Sequence, residues 1–144
     1  MHDLIDHKDE AGEYRDSVRD TVLSQFSIPC SIVTNREEMV GTWRWRASIP
    51  PVGEVVTEYR FLPTGRFTSK MSRQPQQVSS DKNKWELNQD GTFSLHYWFD
   101  ADHSTVVGRA GFEESRYYLR ALADGRRVLW NCDGSVVLIL EQAV

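Results

Sequence analysis

The chain has only two cysteines, Cys30 and Cys132, far apart in 144 residues, which excludes both the tight ligand spacing of a zinc site and the dense pairing of a disulfide-stapled secreted fold. Free buried thiols are the expectation, with a Cys30 to Cys132 disulfide open only in an oxidising compartment. No Gly-x-Gly occurs, so the glycine-rich phosphate loops are excluded. No apolar run approaches the ~20 residues that cross a bilayer as a helix, and no basic start followed by an apolar stretch marks a signal peptide. A cytoplasmic protein without a membrane span is the expectation. Histidine is scarce: outside the first residues only His96 and His103 occur, their spacing fits no metal motif, and solvated surface roles are expected for both. Serine and histidine are present without a nucleophile elbow or a triad context, and neither a metal nor a cofactor is expected.

A one-signed charge field is also missing. Residues 1–26 carry seven acids (Asp3, Asp6, Asp9, Glu10, Glu13, Asp16, Asp20) against three bases (Lys8, Arg15, Arg19), which is the whole net charge of −4. The remaining 118 residues balance, and their arginines are scattered among carboxylates, so nucleic acid is not an expected partner. What is abundant is aromatic: five Trp, five Tyr and six Phe, more large rings than so short a chain needs to close a core. The length suits one domain with one sizeable core.

After a polar start expected to fray, Tyr14, Val18, Val22 and Phe26 recur every fourth residue with Leu23 beside them, opposite Arg15, Asp16, Arg19 and Asp20. This spacing predicts an amphipathic helix over about 10–26, stopped by Pro29. Thr34 and Glu37 form a capping-box pattern, predicting a helical turn from Asn35 to Met39. From Val40 the period drops to two. Strands are predicted at 43–47, 55–62, 66–71, 84–88, 93–99, 116–121, 128–132 and 136–140. Pro63-Thr64-Gly65, Gln89-Asp90-Gly91, Ala123-Asp124-Gly125 and Asp133-Gly134 supply hairpin turns, so successive strands are antiparallel. Two longer stretches interrupt them, Ser72 to Asp81 and Asp100 to Glu113, the second with a further strand open at Val106 and Val107. The fold class is therefore all-β: an up-and-down antiparallel barrel of about 8–9 strands with one N-terminal amphipathic helix. Residues 1–39 form the helix and helical turn, as plug or lid, and residues 40–144 the barrel. External packing of the helix, with a homodimer through it, is the other possibility.

Gly41-Thr42-Trp43 opening the first long strand after a helical turn resembles the Gly-x-Trp start of the lipocalins and the wider calycin group, and the likeness in layout covers about residues 34–141. The resemblance implies an eight-stranded barrel with Trp43 packed across its closed floor and a ligand admitted at the other end. The helix in front, and none after the last strand, depart from the secreted lipocalins. Avidin-like barrels share Gly-Thr-Trp, but the polar groups that hold biotin have no counterpart here.

Alternation predicts an inward set of Trp43, Trp45, Tyr59, Phe67, Met71, Trp85, Leu87, Phe93, Leu95, Tyr97, Tyr117, Leu119, Val128 and Trp130. Apolar walls with a few convergent hydroxyls suit a small, largely apolar ligand. Trp45, Tyr59, Met71, Trp85, Phe93, Tyr97, Tyr117 and Trp130 are the candidate ligand-binding residues. An alternative is a barrel enzyme of the cyclase or isomerase type on a hydrophobic molecule, with Tyr59, Tyr97 and Tyr117 as hydrogen-bond donors and the helix as lid. A third reading is a filled barrel acting as a protein-interaction module through outward groups such as Trp98 and Tyr118. A register slip at Tyr117-Tyr118 would exchange the faces.

Overall fold

The computed structural model describes residues 2–72, 81–99 and 111–143, with side chains described for all of these except residues 2–11, 49 and 99. The expected strand at Val106 and Val107, and most of the 72–81 stretch, lie outside the described residues. Helix α1 spans His2–Leu23. It therefore includes the polar start expected to fray and ends three residues before Phe26. Nine strands follow: β1 Cys30–Ser31, β2 Gly41–Ile49, β3 Gly53–Phe61, β4 Phe67–Met71, β5 Lys84–Leu87, β6 Phe93–Phe99, β7 Gly111–Leu122, β8 Arg127–Trp130 and β9 Val137–Gln142. A 3-10 turn, Arg36–Met39, precedes β2. Its N-cap is Asn35 rather than Thr34: the Asn35 side chain accepts from the Glu37 N–H.

From β2 onward each strand pairs antiparallel with its chain neighbours, except β4 with β5, and β9 returns to pair with β2 at Trp43↔Gln142 and Arg44↔Glu141. The ring is nearly closed. At the remaining seam β4 and β5 meet at the Arg66↔Lys84 bridge, with the Phe67 N–H donating to Asn83 O (3.0 Å) and the Trp85 N–H to Gly65 O (2.8 Å). The turns explain why the chain reverses where it does. Asp90, Asp124 and Asp133 each accept, through Oδ1, the backbone N–H two residues on, at 2.9, 3.1 and 2.9 Å, and a glycine with positive φ stands next to each in sequence. The Thr92 and Ser135 hydroxyls, followed by these backbone N–H groups, hold Asp90 and Asp133 below the usual aspartate range, and the Arg126 N–H does so first for Asp124.

The floor of the barrel is sealed by the segment between β1 and β2. β1 pairs with Leu122 and Ala121 at the lower end of β7, a stretch of that strand on which β6 has no partner residues. The chain then turns under the barrel, burying Val33 and Met39 in the main core beside Trp43, Phe61, Leu129 and Leu140. Trp43 does pack here, its Nε1–H donating to Met39 O (3.0 Å). Two cations lie over floor tryptophans: the Arg127 guanidinium 5.0 Å from the Trp43 ring, donating also to Glu38 O (3.1 Å), and Arg36 4.7 Å from Trp85, donating to Pro63 O (2.9 Å).

Helix α1 does something other than plug or cover the barrel. A second apolar cluster joins Val18, Val22, Leu23, Phe26 and Ile28 to Tyr118, Leu122, Val128, Trp130 and Val137, whereas Leu119, Leu129 and Leu138, the residues between these along β7, β8 and β9, belong to the main core. Adjacent strand residues point to opposite faces, so from Val18 onward the helix lies on the outer wall. Gly134, in the β8–β9 turn at φ 73°, lets it approach: a Cβ there would stand 3.0 Å from Val18. Both cysteines are free and exposed, not buried as expected.

Candidate functional site

Strand register decides which side chains share the lumen. Trp45, Thr57 and Met71 are directly opposed across β2, β3 and β4, as are Trp43, Tyr59 and Ser69 in the layer below. On the other wall Trp85 opposes Leu95, Phe93 opposes Tyr117, and Tyr97 opposes Glu113. The lower lumen is filled by rings in contact. Phe61 is central, its ring centroid 5.7 Å from Tyr59, 5.8 Å from Phe67, 5.7 Å from Trp85 and 5.3 Å from Phe93. Tyr97 joins this layer edge-on through Phe67 at 5.4 Å. Trp85 donates Nε1–H to Leu62 O (2.9 Å), so its polar atom is satisfied within the wall.

Above these rings the three candidate phenols come together. Tyr59 and Tyr97 share a hydrogen bond between their hydroxyls, and Tyr117 lies close enough to act on both electrostatically. Burial is the main reason that both Tyr59 and Tyr97 are pushed above the usual phenol range, since a phenolate there would lose its water. Each also meets the unfavourable field of Tyr117. At neutral pH they are therefore neutral hydroxyls, able to donate to a ligand oxygen and unsuited to removing a proton. Tyr59 is buried, whereas Trp45, Tyr97 and Tyr117, although facing inward against the core, are only partly so.

Two candidate residues depart from this grouping. Trp130 is buried, but under helix α1 on the outer wall, together with Val128. Alternation misled because β8 is covered on both faces, and its inward residue is Leu129. Met71 lies at the end of β4 with 41% of its surface exposed, so it borders the lumen instead of lining it. Trp45, Tyr59, Trp85, Phe93, Tyr97 and Tyr117 are brought together as expected from alternation. Residues not foreseen as lining are Phe61, the centre of the ring layer, and Thr57, Ser69, Glu113 and Ser115. The last two lie on the early part of β7, inward by their pairing opposite Tyr97 and Leu95. The alternation Glu113-Ser115-Tyr117-Leu119-Ala121 carried that signal, masked by its polar half.

Outside the barrel, His96 faces outward as expected but is only partly solvated. Its Nε2 lies 3.5 Å from Glu86 and 3.7 Å from Glu114 across the β5–β6–β7 wall. Among the described residues no group of three or more His, Cys, Asp or Glu converges as a metal site. Nor is any helix there long and apolar enough to cross a membrane.

Set against known protein families, curated proteins and solved structures, the chain matches none. The nearly closed barrel of eight strands is consistent with a calycin-like fold, on architecture alone.

The phenol pair gives an alkaline signature. An unfolded chain ionises its tyrosines near pH ~10, whereas folded Tyr59 and Tyr97 hold their protons above it. Stability is therefore expected to be level below about pH 9 and to fall as pH rises through ~10, because the unfolded state alone releases these protons. Phenolate absorbance should show part of the tyrosine signal appearing only with unfolding, and Tyr97→Phe should diminish that part. Complete titration of all tyrosines before the fold is lost would refute the buried pair.

Proposed function

We propose that the barrel binds a small, largely apolar molecule above its aromatic floor, with the Tyr59–Tyr97–Tyr117 cluster holding the molecule's polar group. The observation that carries this reading is that Tyr97 and Tyr117, with Trp45, face inward yet keep contact with solvent, above an aromatic layer that ends at Tyr59. A barrel of about eight strands has room for one small ligand when its side chains leave part of the lumen open. A carbonyl, ether or hydroxyl oxygen would accept from a phenol kept neutral by burial, while the rings shape the apolar walls. Lipocalin-like ligand carriage is the resemblance that agrees with this arrangement.

The test combines native mass spectrometry of protein purified gently from its producing cells with titration of an environment-sensitive apolar dye. A small molecule released on denaturation, or saturable dye binding, supports the reading. Tyr97→Phe is expected to weaken binding about three- to tenfold, the worth of one hydrogen bond, without unfolding the protein. No released molecule and no dye binding would favour the filled barrel that works through its surface. Incubation with the released molecule then separates carriage from conversion of the cyclase or isomerase kind.

A further inference from the structure

A cleft of about 180 Å³ lies outside the barrel between helix α1 and the wall, lined by Arg15, Arg19, Asp90, Tyr118, Arg120 and Trp130 among others. Its chemistry is one-sided. Three guanidiniums and an indole N–H supply donors, against two carboxylates, Asp16 and Asp90, that each already hold a partner. Asp16 pairs with Arg19 at 3.3 Å, and Arg19 Nε also donates to Asp20 Oδ1 (3.1 Å), which leaves Arg15 and Arg120 without a carboxylate partner among these contacts. Asp90 Oδ1 accepts from both the backbone N–H and the hydroxyl of Thr92. Arg120 donates one N–H to the Leu119 carbonyl (2.8 Å), and its guanidinium carbon lies 5.7 Å from the Trp130 ring. Trp130 is 1% exposed, and its Nε1–H is buried with no acceptor. A buried donor without a partner is costly, and Arg120 is held below the usual guanidinium range chiefly by its burial, with a lesser push from the charge of Arg19 and an opposing pull from Cys30.

We propose that this cleft is a binding site for a compact oxyanion, the carboxylate or phosphate group of a small molecule, held between Arg120, Arg15 and Arg19 with the Trp130 indole as a further donor. Arginine's planar fork suits a two-oxygen group, and the Tyr118 and Trp130 rings, 5.6 Å apart, give the rest of the molecule an apolar wall. The site takes Arg15 and Arg19 from the helix, and Arg120 and its aromatic wall from β7 and β8, so occupancy would tie α1 to the barrel. It is independent of the lumen.

The full-length protein, labelled with nitrogen-15, offers five indole N–H signals, and Trp130→Phe identifies the relevant one. Benzoate and inorganic phosphate are titrated separately at constant ionic strength, with chloride as the third arm. The Trp130 signal is expected to move downfield and saturate with benzoate, with phosphate or with both, which tells the two sources apart. Arg120→Gln should weaken that binding about tenfold while the rest of the spectrum stays folded. Arg15→Gln, at an exposed helix position, serves the same purpose if the first variant does not fold. An unmoved or non-saturating signal, a response equal to that of chloride, or unchanged affinity in a folded arginine variant would overturn the proposal.

Discussion

Trp43→Ala is expected to cost about 3–5 kcal/mol, the usual range for removing a large aromatic from a core. Against a total stability of about 5–15 kcal/mol, much of the population would unfold on mild heating. The ring is 1% exposed and joins two parts of the floor: its N–H satisfies Met39 O, and its face receives Arg127. Truncation would leave that carbonyl unpaired. It would also leave the Arg127 Nε, which is already buried without a hydrogen bond, without the ring that now offsets its lost water. Trp43→Phe keeps most of the volume and an aromatic face for the cation but loses the donor, so a smaller loss of about 1–2 kcal/mol is expected. Denaturant titration of the two variants measures both effects. Trp43→Ala within about 1 kcal/mol of the parent would mean that the floor is held by something else.

Phe61→Ala should be equally damaging, about 3–5 kcal/mol, for a different reason. Phe61 has no polar atom to lose, but it contacts four other rings and is their common centre. Aromatic pairs add about 0.5–1.5 kcal/mol each beyond area burial, so a site this well filled cannot relax without shifting several neighbours. The void would open directly below Tyr59, and an apolar cavity of that kind stays dry and accepts apolar guests. Under the binding reading, a bulkier dye should therefore bind several-fold more tightly to the Phe61→Ala variant even as its melting temperature falls. Lower stability with unchanged dye affinity would show that the floor layer is separated from the binding lumen.

Much of the architecture was written locally. The change of period from about four to two at Val40, the Asp-Gly turns and the Gly41-Thr42-Trp43 start were sufficient for an all-β meander closed into a barrel, because hairpins leave consecutive strands no distant partner to choose. Inner and outer faces of β5 and β6 were equally legible, since one face meets the core and the other mostly water. That clarity failed where both faces are covered. Val128, Leu129 and Trp130 are all buried, so their hydrophobicity has no period, and the direction of Trp130 depended on a helix more than a hundred residues away in sequence. The helix likewise showed an apolar stripe but not its destination, because a stripe records that something will be buried and not against what. The three inward tyrosines were predicted one by one from alternation. That two of them share a hydrogen bond above a filled aromatic floor, and that donors gather around Trp130 beside carboxylates that already hold a partner, was decided by the closure and stagger of the barrel, which bring together residues that no spacing along the chain relates.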